Sequence, residues 1–122
     1  MGLNNLYPIY IYPDPLTEFC INRSIKPDFI RNALEIEPDI KAVVITSPNY
    51  YGVVSDISAI AEVCHNKNVK LVVDEAHGAH FPFIDGFFNA VSLGADFSIA
   101  SAHKTLPAPG QSALQMCIRD RL

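Results

Sequence analysis

Apolar positions along the chain switch repeatedly between the period of strands and the period of helices. The first run, LYPIYIY over residues 6–12, is rich in β-branched and aromatic side chains and is closed by Pro13, which predicts a strand. In KPDFIRNALEIEP, Pro27 stands at a helix start with an acid in the first turn. Phe29, Ile30, Ala33 and Leu34 follow at helical spacing before Pro38, so a short amphipathic helix is expected. Residues 40–46 read as a second strand. SDISAIAEVCHNKN then predicts a helix with Ser55 as N-cap and Ile57, Ile60, Ala61 and Cys64 on one face. KLVVDE is a third strand, FNAVSLGAD a helix capped at Gly94, DFSIAS a fourth strand and QSALQM a further one.

Strands joined by helices predict an α/β fold of three layers, α/β/α, around a mainly parallel sheet with right-handed crossovers. In such sheets the ligand site lies beyond the carboxyl ends of the strands. The residues there are SPNYYG, DEAHGAH and SAHKTLP. One crevice is therefore expected to gather Asn49, Tyr50, Asp74, Glu75, His77, His80, Ser101, His103 and Lys104.

Composition narrows the classes of function. The 122 residues suit one domain, and no apolar run approaches the roughly 20 residues of a membrane helix. The first ten residues lack the basic and apolar regions of a secretory signal, so a cytoplasmic location is expected. Cys20, Cys64 and Cys117 are widely spaced, without a C-x-x-C pair, and read as buried or idle thiols. With a formal charge of −4 and no cluster of Lys and Arg, nucleic acid is a poor candidate partner.

Lys104 follows a strand expected to be buried. An ammonium drawn out of water is disfavoured unless it is paired or its pKa falls, and a lowered pKa makes the amine a nucleophile. Lysine amines form Schiff bases with carbonyl compounds, most often with the aldehyde of pyridoxal phosphate, whose ring nitrogen is met by an Asp or Arg. Asp74, at the end of a neighbouring strand, suits that partner, and the interval between the two residues suits one crossover. Ser101 and His103 offer a hydroxyl and an imidazole N–H to the phosphate.

AVVITSPNYYGVVSDISAIAEVCH, LVVDEAHGAHFPF and SAHKTLPAPGQSAL together resemble the major domain of the Orn/Lys/Arg decarboxylases, enzymes of the aspartate-aminotransferase fold (fold type I) that use pyridoxal 5'-phosphate. The resemblance runs from about Leu6 to Leu114. It implies that Lys104 is the Schiff-base lysine, that Asp74 partners the pyridine nitrogen and that Ser101 and His103 contact the phosphate. It also implies that Ala76 and His77 lie near the ring and the substrate, and that Asn49 occupies the place of a ligand to the ring hydroxyl. The implied reaction is decarboxylation of ornithine, lysine or arginine, with an aminotransferase or another lyase of the same fold as the nearest alternative. A homo-oligomer is implied for a full-length protein, because the pocket in this fold commonly sits at a dimer interface.

The family's enzymes are several times longer, with an upstream Gly/Ser/Thr-rich phosphate loop and a small domain after the large one. We therefore expect a fragment, with residues 1–116 belonging to the major domain. CIRDRL, residues 117–122, replaces apolar strand residues with three charges and is expected to be foreign to the family.

Other readings of the same residues compete. VVDEAH also suits the metal-binding acids of a DEAH-type ATPase, but that class requires G-x-x-x-x-G-K-[ST], and no such run precedes Asp74. His77 and His80 suggest zinc, yet the loop lacks the H-E-x-x-H order and a third ligand at motif spacing. Of the remaining polar residues, His65 reads as a solvated helix C-terminus, Glu75 as a charge in water at the sheet edge, and His80 as a structural hydrogen-bonder. Tyr50 and Tyr51 read as packing or as the lining of a cleft.

Overall fold

The computed structural model describes residues 6–117. Residues 6–12 join no sheet, contrary to the strand expected there. Pro8 and Pro13 lack the N–H that a ladder needs. Most of the segment's side chains lie in solvent, and Ile11 alone packs against the core. The chain then makes a small antiparallel ribbon, β1 (Pro15–Leu16) with β2 (Ile21–Asn22), turned through Cys20 at φ 52°. Its strands are too short for periodicity to reveal.

Helix α1 (Pro27–Ile36) forms as expected, with Pro27 in the first turn, Asp28 paired to Arg31, and Ile30 and Leu34 buried one turn apart. Strand β3 (Ala42–Thr46) follows, and then α2 (Ile57–His65). The N-cap of α2 is Asp56 rather than Ser55: the Asp56 carboxylate accepts the Ala59 N–H at 3.0 Å. Ser55 is instead buried as a bridge, its N–H donating to Ser47 Oγ (3.0 Å) and its own Oγ accepting the Ile25 N–H (3.2 Å). Strands β4 (Lys70–Asp74) and β5 (Phe97–Ser101) come next, then the single turn α3 (Ala102–Thr105) and β6 (Ala113–Cys117). The change of character expected at residue 117 falls at the end of β6, and residues 118–122 lie outside the described ones.

The main sheet runs β3-β4-β5-β6. Its first three strands are parallel, with Thr46, Asp74 and Ile99 side by side at their carboxyl ends. β6 is antiparallel to β5: the chain between them makes only the single turn α3 and then folds straight back, with no crossover helix to carry it to the other end of the sheet. The expected helix around residues 88–96 is a set of turns. Asn89 Oδ1 caps the Ser92 N–H at 2.8 Å, and Gly94 at φ 108° ends the turn after little more than one helical repeat.

α1 and α2 cover one face of the sheet. Ile30, Leu34, Ile57, Ile60, Ala61 and Cys64 pack there on Val43, Ile45, Leu71 and Val73. Burying each of the larger side chains contributes about 1.5–3 kcal/mol. The opposite face carries Val44, Phe97 and Ile99, which are 63%, 41% and 48% exposed. The described residues thus supply the sheet and one of its flanking layers. No helix among them is long and apolar enough to cross a membrane.

At the amino end of the sheet Asp96 ties the strands together. Its carboxylate accepts from Lys70 Nζ (2.8 Å), the Leu71 N–H (2.9 Å) and His65 Nε2 (3.0 Å). His65 is therefore a hydrogen-bond partner of Asp96 at the end of α2, and not merely a solvated residue. Partial desolvation pushes the Asp96 carboxyl up, but these donors outweigh it and hold the group at about 2, below its ordinary 3.8. Burial, with the Asp96 charge nearby, pushes the Cys64 thiol up to about 11, consistent with an unreactive core cysteine.

Because the folded pKa of Asp96 lies below the unfolded one, its stabilisation is complete above pH 3.8 and is lost as pH falls through about 2. Asp96→Asn is expected to cost about 2 kcal/mol at neutral pH. The gap between the urea midpoints of the two proteins should close on acidification, and a gap that stayed constant down to pH 2 would contradict this account.

Candidate functional site

The three loops at the carboxyl edge of the sheet are built by different means. After β3 the chain winds around Asn49. Its side-chain Oδ1 accepts the N–H groups of Tyr51 (2.9 Å) and Val53 (3.0 Å), and its Nδ2 donates to the Asn22 carbonyl (3.2 Å). The Asn49 amide is thus used within the chain, and it could serve a ring hydroxyl only by sharing or releasing Asn22. Tyr50 is 79% exposed and meets His77 edge-on, with ring centroids 5.7 Å apart. It lines a cleft and is not core packing.

At the end of β4 two consecutive acids part company. Asp74 faces the open side of the sheet and is exposed, with Oδ1 accepting the Ala76 N–H at 2.9 Å. Glu75 faces the helix-covered side and is 3% exposed. One of its carboxylate oxygens accepts the Ala90 N–H at 2.9 Å and the other accepts the hydroxyl of Ser98. The reading of Glu75 as a charge in water is therefore wrong. Burial pushes its carboxyl up, while the Ser98 and Ala90 hydrogen bonds pull in the other direction without cancelling the shift. The signal was in the sequence: period-two alternation that buries Leu71 and Val73 also buries the residue two further on.

Glu75 donates its N–H to Ile99 O (2.8 Å) and accepts the Gly78 N–H (2.7 Å), which draws DEAHG into a tight turn against SPN. A Cβ on Gly78 would stand 2.9 Å from Cδ of the buried Pro48. The turn carries His77 and His80 to a cavity of about 370 Å³, lined also by Pro48, Asn49, Tyr50, Phe81, Ile84 and Phe87. His80 is not the hydrogen-bonder expected, since its Nδ1 is buried without a partner among the described residues.

The third loop is joined to the other two through the sheet and does not line this cavity. Ser101 sits two residues beyond Ile99, the register neighbour of Asp74, and so shares the open face with Asp74. Lys104 follows within one turn of helix and is exposed, so the described residues do not supply the burial expected of it. His103 Nδ1 lies 3.0 Å from the Ser112 carbonyl. A carbonyl only accepts, so Nδ1 carries the hydrogen and the neutral ring presents Nε2 as an acceptor. His103 can therefore donate to a phosphate through Nε2 only as the imidazolium. Thr105, absent from the expected site residues, holds a buried Oγ1 beside Lys104 without a partner among the described residues.

The chain has relatives among known proteins. The family model for the Orn/Lys/Arg decarboxylase major domain matches residues 1–121. The chain belongs to the Orn/Lys/Arg decarboxylase family. An arginine decarboxylase of Bacillus subtilis (strain 168) is 36% identical over 108 residues, which are 88% of this chain and 22% of that protein. The uncharacterized protein YaaO of the same organism is 40% identical over 109 residues, 88% of this chain and 23% of its own length. The chain thus spans under a quarter of the length of these relatives. The fold is that of fold type I enzymes: the pyridoxamine-pyruvate aminotransferase of Mesorhizobium loti superposes with a TM-score of 0.62 at 16% identity, over 81% of this chain and 24% of that one.

The donor set fits the pyridoxal phosphate of that fold. The Asp74 carboxylate, which keeps one oxygen without a hydrogen-bond partner among the described residues, and Ser101 share the open face, the exposed Lys104 amine follows Ser101 by three residues, and the buried Thr105 hydroxyl beside it has no partner among the described residues. Asn49 fits less well, for the reason given above.

The contact between the DEAHG turn and SPN has a direct test. Gly78→Ala forces a methyl against a rigid, buried proline ring and is expected to cost about 1–3 kcal/mol. Urea unfolding measures the loss, and a variant as stable as the parent would show that the two loops can separate.

Proposed function

We propose that the chain is part of a pyridoxal-phosphate-dependent decarboxylase of basic amino acids, working within a longer polypeptide. The observation that carries this reading is the placement of Asp74 and Ser101 on one open face of the sheet, with Lys104 one helical turn beyond. Arginine is the first substrate to try, because the named relatives at 32–36% identity are arginine decarboxylases. An aminotransferase or another lyase of the same fold remains the nearest enzymatic alternative.

In this reading the Lys104 amine would hold the cofactor by its aldehyde, and Ser101 and His103 would hold its phosphate. Asp74 holds a proton on the ring nitrogen through the oxygen that Ala76 leaves unused. His77 and Ala76 line the space beside the ring. When bound, pyridoxal phosphate supplies an electron-poor ring that accepts the pair left on the alpha carbon as carbon dioxide departs. The Lys104 amine would be the chain's own group able to carry a proton at the reacting carbon. A homo-oligomer and a cytoplasmic location belong to the same proposal.

The folded protein, incubated with pyridoxal phosphate, reduced with borohydride and digested, is expected to carry the pyridoxyl mass on Lys104 and to lose it in Lys104→Arg. Labelling at another lysine, unchanged by that substitution, would sink the assignment.

A further inference from the structure

The two acids at the end of β4 lie on opposite faces of the sheet, and only Asp74 faces the proposed site. Beyond Asp74 the strand leaves its ladder, and the next residue is held at every polar atom. The Glu75 N–H reaches Ile99 O at 2.8 Å and its carbonyl accepts the Gly78 N–H at 2.7 Å. Its carboxylate takes the Ala90 N–H at 2.9 Å and the Ser98 hydroxyl. Ala90 and Ser98 are 1% and 0% exposed, so neither donor has water as an alternative. One side chain therefore ties β4, β5 and the 89–94 turn together directly behind Asp74.

We propose that Glu75 is a positioning residue for the site: its buried clamp fixes the Glu75–Ala76 peptide, and the Ala76 N–H in turn orients the Asp74 carboxylate. The consequence rests on the decarboxylase reading only where the cofactor is concerned. The Ala76 N–H stands 2.9 Å from Asp74 Oδ1, which leaves Oδ2 aimed by the backbone and not by a flexible side chain. Truncating Glu75 strips two buried donors of their acceptor, and the turn must move to find them another. Glutamine keeps the shape: its carbonyl accepts from Ala90, and its amide donates to Ser98 Oγ with the direction of that bond reversed.

The test compares Glu75→Ala with Glu75→Gln. In the cofactor-free protein, amide exchange at Ala76 is expected to quicken roughly tenfold in Glu75→Ala, with the Leu71 and Val73 amides unchanged, and to stay near the parent rate in Glu75→Gln. In the pyridoxal-phosphate-loaded decarboxylase, Glu75→Ala is expected to lower kcat roughly tenfold with little change in KM, and Glu75→Gln to restore most of it. Should Glu75→Ala not fold, Ser98→Ala, which removes one donor, takes its place with a smaller effect in the same direction. The proposal is overturned if Ala76 exchange does not change, if the whole of β4 quickens equally, or if glutamine is as damaging as alanine. If instead Lys104 fails to take up the cofactor, the decarboxylase reading fails while the exchange result still decides the role of Glu75.

Discussion

Consecutive side chains of a strand point to opposite faces, and the register of three parallel strands turns that local rule into a site. Thr46, Asp74 and Ile99 lie abreast, so everything to one side of them faces open space and everything to the other side faces α1 and α2. Sliding β4 by one residue against its neighbours would bury Asp74 under the helices and expose Glu75. The helix-covered core prevents this, because the same slip would expose Leu71 and Val73, both fully buried. Hydrophobic packing thus decides which carboxylate meets a ligand and which is enclosed.

The sheet also separates two kinds of carboxylate along its length. At the amino edge Asp96 is surrounded by an ammonium, an imidazole and a backbone N–H, and ionises more readily than an acid in water. At the carboxyl edge Glu75 has only neutral donors, and desolvation prevails. The first arrangement holds β4 to the chain entering β5, and the second holds the loops through which Asp74 and its neighbours are presented. Nothing in the described residues makes the two clusters share a side chain.

Much of this was legible in the sequence, for identifiable reasons. α1, α2 and the parallel strands follow from periodicity, because their apolar residues face a core that the same segments build. The motifs SPNYYG, DEAHGAH and SAHKTLP mark the carboxyl edge of the sheet, since a buried strand must stop where its polar residues begin. The errors arose where a segment's partners decide its state. Residues 6–12 have a strand's composition without a ladder to join, and residues 88–96 carry helical spacing in a stretch too short to repeat it. The cap of α2 moved by one residue because Ser55 found a buried partner in Ser47 and left Asp56 the helix end. The resemblance puts Asn49 in the place of a ring-hydroxyl ligand, while its amide organises its own loop. Glu75 reads as a charge in water at the sheet edge only beside Asp74; set against Leu71 and Val73 it falls on the buried face.

The return of the chain after Lys104 has a further consequence. The Ser112 carbonyl receives both the Ala102 N–H at 3.0 Å and the His103 ring, so the segment between them is a closed loop whose two ends meet at one atom. Its outer residues, among them Gly110 and Gln111, are exposed. The perimeter of such a loop is able to lengthen or shorten while its neck stays shut. The base from which the Lys104 amine extends is therefore pinned at Ser112 and not by that perimeter.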